Sequence, residues 1–107
     1  MDKLLEEKFP EILIVDDDSS VVIALHKVLQ DIGRIRFAST ASQALEMING
    51  TRPDLILLDV ELPDINGLKL CIMLKQDVET ASIPVLFITS KIETGFEEKV
   101  FDAGASD

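Results

Sequence analysis

Three carboxylates follow two apolar stretches of the chain. Asp16 and Asp17 come directly after ILIV, and Asp59 comes directly after LILL. If the two stretches are neighbouring strands, we expect the three carboxylates to converge, and carboxylates that close remain ionised together only when a cation joins them. With no His or Cys in either stretch, the hard oxygen donors favour Mg²⁺, with Mn²⁺ or Ca²⁺ as further candidates, over zinc.

Two hydroxyl groups, those of Thr89 and Ser90, follow a third apolar stretch, PVLFI. At a neighbouring strand end they could donate hydrogen bonds to a phosphoryl oxygen. A carboxylate nucleophile, a divalent cation and a hydroxyl donor together suit the formation of an aspartyl phosphate. The alternative is structural, because an Asp after a strand often forms a turn or caps a helix, the role we expect for Asp18. Three strand ends with complementary chemistry favour a phosphoryl-acceptor site.

The elements that would position these groups alternate along the chain. Strands are predicted at 11–16, 34–39, 55–59 and 83–89, and helices at 19–32, 41–49, 67–76 and 93–103. Continuous apolar runs are typical of parallel strands covered on both faces. Alternating strands and helices predict an α/β fold, a doubly wound parallel sheet with helices on both faces. Such sheets gather their functional groups at the carboxyl ends of the strands.

Helix ends and inner faces can also be predicted. Ser19 or Ser20 is a candidate N-cap for the first helix, and Gly33 would end it. Thr40 and Gln43 match a capping-box pattern at the start of the second helix. The third helix is predicted to place on one side Leu68, Cys71, Ile72 and Lys75.

Length and composition limit the chain to one domain. Its 107 residues are 47% hydrophobic, enough for a single core. The 20 acidic and 10 basic residues give a net charge of −10, so we expect no direct binding of nucleic acid. One cysteine excludes an internal disulfide, and the sequence has neither a signal peptide nor a membrane-spanning run. We expect a cytoplasmic protein that does not contact the membrane, with residues 1–10 as a lead-in and 11–107 as the domain.

Four motifs, ILIVDDD, PDLILLDVELPDINGL, IPVLFITS and VFDAGASD, follow one another from about Glu11 to the end of the chain. In these motifs the chain resembles the receiver domain of bacterial two-component response regulators. The resemblance implies a flavodoxin-like fold with strand order 2-1-3-4. It also implies signalling rather than enzymatic activity. A sensor histidine kinase or phosphotransfer protein would supply a phosphoryl group in a Mg²⁺-dependent reaction, and the phosphorylated domain would switch a partner or an output domain.

The resemblance assigns a role to individual positions. Asp59 aligns with the phosphoryl acceptor, Asp17 with a direct metal ligand, and Asp16 with a residue that holds the metal chiefly through water. The metal site implied in this way comprises Asp16, Asp17, Asp59 and the backbone carbonyl of Glu61. Thr89 aligns with the switch hydroxyl that meets the phosphoryl group, and Ser90 is the neighbouring hydroxyl. The loop after the acceptor carries two further matching positions, Pro63 and Gly67.

The chain departs from the family pattern at its end. Members of the family continue with a fifth strand, a lysine that pairs with the phosphoryl group, and a fifth helix. We therefore expect a fragment of a longer polypeptide, and because the first strand lies close to Met1, we expect an output domain beyond Asp107. Without a fifth strand, the fourth would be an apolar edge. If the chain is stable alone, we expect a homodimer, with that edge as a candidate interface.

Three other functions compete with this one. A phosphatase of the haloacid-dehalogenase type also uses an aspartate after an apolar strand, but its second acid is normally another aspartate, where this chain has Glu61. A flavin-binding module of similar topology would need a Ser-, Thr- and Gly-rich phosphate loop where this chain has DDDSS. A receiver-like interaction module without signalling would have no need of Asp17, Asp59 and Thr89. Turnover of a small phosphate ester would favour the phosphatase.

Overall fold

The computed structural model describes residues 9–88 and Gly104. In this part of the chain the elements are β1 (Glu11–Val15), α1 (Ser19–Leu29), β2 (Arg34–Ala38), α2 (Ala41–Gly50), β3 (Leu55–Asp59), α3 (Gly67–Gln76) and β4 (Val85–Ile88). The strands form one sheet in the order β2-β1-β3-β4, and each pairing is parallel. The predicted fold class and strand order are confirmed. None of these helices is long and apolar enough to cross a membrane.

Some predicted features lie outside the described residues. These are the helix predicted at 93–103 and the hydroxyl residues Thr89 and Ser90. The missing fifth strand, the open edge at β4 and the homodimer stay predictions.

The side chains of the strands alternate between two apolar clusters, one on each face of the sheet. Leu13 and Leu58 are fully buried in the cluster that packs against α2 and α3. Ile14 and Leu57 belong to the cluster that packs against α1. Because both faces are covered, every position along the middle of β1 and β3 is apolar, which explains the unbroken apolar sequences of these two strands.

The register of the strands brings their carboxyl ends to the same edge of the sheet. Val15 of β1 pairs with Leu58 of β3, so Asp16 and Asp59 come next on neighbouring strands. Asp59 in turn pairs with Ile88 of β4. The packing of apolar residues therefore determines where the polar residues meet.

Helix α1 agrees with the prediction in part. Asp18 is its N-cap, which confirms the capping role expected for that residue, whereas Ser19 and Ser20, the other candidates, are the first residues of the helix. The Asp18 carboxylate accepts the Ser20 N–H at 2.9 Å and the Ser20 hydroxyl at 2.6 Å. A carboxylate suits the positive end of a helix better than a neutral hydroxyl does. The helix ends at Leu29, earlier than predicted. The turn that follows leads to Gly33, where a Cβ would lie 2.6 Å from a backbone carbonyl oxygen of the segment before β1.

The predicted capping pattern at α2 is confirmed in part. Thr40 is the N-cap, and its hydroxyl accepts the N–H of Gln43 at 3.0 Å. The Gln43 side chain, however, accepts the N–H of Ser39 at 2.9 Å instead of that of Thr40. At the other end of the helix, the Arg36 guanidinium donates to the carbonyl oxygen of Thr51 at 2.8 Å. Both ends of α2 are therefore fixed by side chains.

The buried side of α3 agrees with the prediction only in part, since Cys71 is buried and Leu68 packs against the core. It consists of Gly67, Leu70, Cys71 and Leu74. Cys71 faces inward, but Ile72 is 40% exposed, and Lys75 extends along the surface to donate to the carbonyl oxygen of Ile83 at 2.6 Å. The rotation of the helix is fixed at Gly67, which lies against the backbone of Asp59. Positions three, four and seven residues further on then face the sheet.

Replacing Gly67 with Ala should destabilise the fold by about 2 kcal/mol or more, because an added Cβ would overlap the carbonyl oxygen of Asp59. Gly50→Ala is the matched control, since a Cβ there meets nothing within 4 Å. We expect Gly50→Ala to change stability by at most about 1 kcal/mol, in the favourable direction. Urea unfolding followed by far-ultraviolet circular dichroism measures both, and equal stabilities would contradict the close packing described at Gly67.

Candidate metal centre

Three carboxylates meet where β1 and β3 end. Asp16 and Asp17 follow β1, and Asp59 is the last residue of β3. One carboxylate oxygen from each lies within 4.8 Å of the others. Asp16 is 6% exposed and is the one buried charged residue in the described part of the chain, whereas Asp17 is exposed and Asp59 is half-buried. The cluster is therefore buried at Asp16 and open to solvent at Asp17.

Backbone hydrogen bonds hold two of these residues in place. The N–H of Asp16 donates to the carbonyl oxygen of Ala38 at 3.0 Å, which extends the pairing of β1 with β2 by one residue. The Asp16 carboxylate accepts the N–H of Asp18 at 2.9 Å. The Asp59 carboxylate accepts the N–H of Glu61 at 3.3 Å, a longer contact. Each carboxylate thus keeps free oxygen lone pairs for a further ligand.

The electrostatics of the cluster favour the uptake of positive charge. Burial, together with the nearby charges of Asp16 and Asp17, raises the pKa of Asp59 to about 6, although the hydrogen bond from the Glu61 N–H opposes the shift. Burial also raises the pKa of Asp16, against the opposing effect of the Asp18 N–H. Without a cation, the cluster therefore retains a proton to a higher pH than an isolated aspartate would.

The donor set fits a hard divalent cation. All three side chains offer carboxylate oxygens, and Mg²⁺ is bound through one or two carboxylates while water fills its remaining positions. Oxygens around one Mg²⁺ lie at most about 4.2 Å apart, twice the metal–oxygen distance of about 2.1 Å. That separation is slightly smaller than the 4.8 Å limit found here, a difference that small side-chain rotations cover.

The loop between β3 and α3 folds back on itself beside the cluster. The N–H of Gly67 donates to the carbonyl oxygen of Val60 at 2.7 Å, and Glu61 forms an antiparallel bridge with Asn66. The Asn66 side chain caps α3 by accepting the N–H of Leu68 at 2.7 Å. Gly67 is the first residue of α3, as predicted. The backbone on both sides of Glu61 is thus held close to the end of β3.

Asp64, at the tip of this loop, has a role that the sequence reasoning missed. Its two carboxylate oxygens accept the N–H groups of Ala41 and Ser42, each at 2.9 Å. These hydrogen bonds lower the pKa of Asp64, so it is ionised at neutral pH. The first turn of α2 contains no acidic residue of its own. This absence is a signal that a carboxylate from elsewhere could cap the helix, but it does not reveal which residue supplies it.

Of the remaining predicted positions, the structure describes Pro63. Pro63 is exposed in the loop after β3. A cavity of about 290 Å³ adjoins Asp16 and Asp17, and its walls include Val22 and Phe37. Thr89 and Ser90, outside the described residues, receive no structural test, and the roles of all the predicted site residues stay predictions.

Residues 12–107 match the family described as the response regulator receiver domain. The chain belongs to this family. The resemblance seen in the sequence is therefore confirmed, and the haloacid-dehalogenase alternative is not favoured. Receiver domains generally act in signalling rather than in catalysis, and they bind Mg²⁺ at an aspartate cluster of the kind present here.

Individual relatives support the same assignment. The DNA-binding response regulator MtrA of Mycolicibacterium smegmatis is 37% identical over 97 residues, which are 90% of this chain and 41% of that protein. The DNA-binding dual master transcriptional regulator RpaA of Synechocystis sp. is 36% identical over 104 residues, covering 92% of this chain and 41% of that protein. This receiver chain thus spans about two fifths of the length of the curated relatives that it matches.

A solved structure supports the fold of the receiver. A crystal structure from Chloroflexus aurantiacus, described as that of a response regulator, superposes with a TM-score of 0.88 at 36% identity. The match covers 94% of this chain and 83% of that one. The flavodoxin-like fold expected of a receiver is therefore the one observed.

The raised pKa of Asp59 makes the stability of the metal-free receiver depend on pH. The unfolded chain releases this proton near pH 3.8 and the folded chain near pH 6, so the folded state binds more protons in between. We therefore expect the free energy of unfolding, measured in a chelating buffer, to increase as the pH falls from about 7 to about 5. In Asp59→Asn, the free energy of unfolding should change less with pH, because only the contribution of Asp16 remains.

The control for this pH series is Asp54→Asn, which removes one carboxylate at the opposite end of the strands, where Asp54 accepts the N–H of Glu11 at 2.7 Å. It should keep the slope of the parent protein. An Asp59→Asn variant with the parent's slope would show that the Asp59 carboxyl is not the titrating group.

Proposed function

We propose that this receiver accepts a phosphoryl group on Asp59 from a phosphohistidine of a sensor histidine kinase or phosphotransfer protein. The observation that carries the proposal is the convergence of Asp16, Asp17 and Asp59 within 4.8 Å at the end of two paired strands. A single strand-end aspartate would suit a cap or a turn, as Asp18 does. Three carboxylates around one open site suit a cation and a phosphoryl group together.

In the proposed reaction, an Asp59 carboxylate oxygen forms a bond to phosphorus as the phosphorus–nitrogen bond of the donor breaks. The electron pair of that bond returns to the imidazole of the donor. Ionised Asp59 is the nucleophile, so no general base is needed, and a pKa of about 6 leaves most of the carboxyl ionised at neutral pH. The transition state is loose, and catalysis depends on positioning and on charge stabilisation.

Asp16, Asp17, Asp59 and the backbone carbonyl of Glu61 would hold Mg²⁺, and Mn²⁺ could take its place. When bound, the cation offsets the charge that develops on the phosphoryl oxygens. Thr89 and Ser90 would donate hydrogen bonds to those oxygens, with Thr89 as the switch hydroxyl. Pro63 and Gly67 would shape the loop that presents Glu61.

The wider role follows from the same proposal. We place the receiver at 11–107, with 1–10 as a lead-in, in a cytoplasmic protein that is not itself an enzyme. The matched relatives MtrA and RpaA are described as DNA-binding regulators, and their greater length leaves room for an output domain. We infer an output domain beyond residue 107, with the acidic receiver making no direct contact with nucleic acid or membrane. Self-association through β4 is the accompanying proposal for the chain alone.

The first test of the proposal is the transfer of phosphate from acetyl phosphate, followed by intact-protein mass spectrometry. Asp59→Asn should abolish Mg²⁺-dependent incorporation, because an amide oxygen is a poor nucleophile, while the circular dichroism spectrum stays that of the parent. Asp54→Asn changes the net charge by the same amount as Asp59→Asn, and it should be phosphorylated like the parent. Phosphorylation of Asp59→Asn at the parent's rate would refute the assigned acceptor.

The second test separates metal binding from acceptance of the phosphoryl group. Asp17→Ala removes one exposed carboxylate of the cluster and should weaken Mg²⁺ binding by about tenfold or more. Phosphorylation should fail at low Mg²⁺ and recover at high Mg²⁺, since Asp59 is intact. Calorimetric titration is the suitable measurement because the chain has neither Trp nor Tyr. The same titration with beryllofluoride, which imitates the phosphoryl group, tests acceptor and metal site together. Unchanged Mg²⁺ affinity in Asp17→Ala would contradict its role as a ligand.

A further inference from the structure

The carboxylate of Asp64 joins two elements that are distant in the sequence. It belongs to the loop between β3 and α3, yet it accepts the N–H groups of Ala41 and Ser42 in the first turn of α2, each at 2.9 Å. Asp64 is therefore a tether between the loop and α2.

The first turn of α2 is built to receive this tether. The Thr40 hydroxyl takes the N–H of Gln43, and Asp64 takes the two N–H groups between them. These are groups that a helix cannot pair within itself. A carboxylate placed at the positive end of the helix adds a charge–dipole attraction. Asp64 thus accepts two directional hydrogen bonds, which fix the position of the loop tip as well as the end of the helix.

The base of the same loop is held separately. Glu61 is bridged to Asn66, and the N–H of Gly67 donates to the carbonyl oxygen of Val60 at 2.7 Å. The loop is therefore fixed at its base by backbone contacts and at its tip by Asp64. Movement of the tip would be transmitted through a few residues to the backbone of Glu61, which lies two residues beyond Asp59.

We propose that Asp64 is a positioning residue that sets the metal affinity of the site, because its tether to α2 holds the Glu61 backbone in the geometry that binds Mg²⁺. The inference rests on the proposed function, in which the Glu61 carbonyl is a metal ligand. Asp64 does not touch the metal itself. Its effect resembles that of other outer contacts that orient metal ligands, whose loss typically costs about 10- to 100-fold in metal affinity.

The proposal has a reciprocal consequence. If the tether strengthens Mg²⁺ binding by a given factor, Mg²⁺ binding must strengthen the tether by the same factor. The N–H groups of Ala41 and Ser42 should therefore be better protected from hydrogen exchange when Mg²⁺ is bound. Their protection is an observable in the unmodified protein.

The mutational test compares Asp64→Ala and Asp64→Asn with the control Asp54→Asn. Asp54 also joins two distant segments through a carboxylate, which accepts the N–H of Glu11 at 2.7 Å, but at the other end of the sheet. We expect Asp64→Ala to weaken Mg²⁺ binding about tenfold and Asp64→Asn to weaken it less, since the amide retains one acceptor oxygen. The control should stay within about twofold, since it lies outside the machinery of the site. Calorimetric titration with MgCl₂ supplies the dissociation constants.

A merely structural role would give a different pattern. Asp64 variants would then lose stability in urea unfolding while their Mg²⁺ dissociation constants stayed within about twofold of the parent value, and that result would overturn the proposal. Folded Asp64→Ala with weakened Mg²⁺ binding supports it. If Asp64→Ala does not fold, Asp64→Asn and the exchange experiment decide.

The exchange experiment uses the parent protein, with ¹⁵N-detected amide exchange measured with and without saturating MgCl₂. The proposal is supported if MgCl₂ slows exchange at Ala41 and Ser42 but leaves exchange at Glu11 unchanged. It is rejected if MgCl₂ leaves exchange unchanged at all three residues. Failure of the proposed function is distinguishable, because the parent would then bind no Mg²⁺ and incorporate no phosphate. A parent that is phosphorylated normally, beside Asp64 variants of unchanged Mg²⁺ affinity, would reject only the positioning role.

Discussion

The pairing of β1 with β3 is the constraint on which the site depends. Val15 pairs with Leu58, and the pleat directs Asp59 to the same face of the sheet as Leu57. A slip of one residue would turn Asp59 toward the face covered by α2 and α3, away from Asp16. The apolar residues of both strands prevent that slip, because it would exchange the two faces of the core. The register that buries the strands therefore also brings like charges together.

The apolar core beneath the cluster offsets the electrostatic free energy that it costs to place those charges together. Leu13, Ile14, Ile56 and Leu58 are fully buried and lie within a few residues of the cluster. Burial of this kind contributes about 1.5–3 kcal/mol for each large aliphatic side chain. The raised pKa values of Asp16 and Asp59 are the sign of the opposing electrostatic cost. A cation relieves that cost without altering the packing, so the metal-free fold is already shaped for the ion.

The sequence predicted the framework well because apolar runs and their order are local signals. The four strands, three helices and the meeting of Asp16, Asp17 and Asp59 all follow from βα alternation. What it missed depends on contacts between distant segments. The inner side of α3 is set by Gly67 against Asp59, and Asp64 reaches a helix 22 residues earlier in the chain. Neither partner can be recognised from the spacing of residues within one element.

The acidic residues of this chain show why composition alone could not separate these roles. Asp18 and Asp64 lie exposed at helix ends. The hydroxyl and N–H of Ser20 lower the pKa of Asp18, and backbone N–H groups lower that of Asp64. Asp16 and Asp59 are partly buried beside other carboxylates, and their pKa values are raised. The first pair is therefore already satisfied by the backbone, whereas the second still requires a proton or a cation. Since only the second pair gains from an added positive charge, Mg²⁺ should collect at the strand ends and not at the helix caps, although all four residues are aspartates.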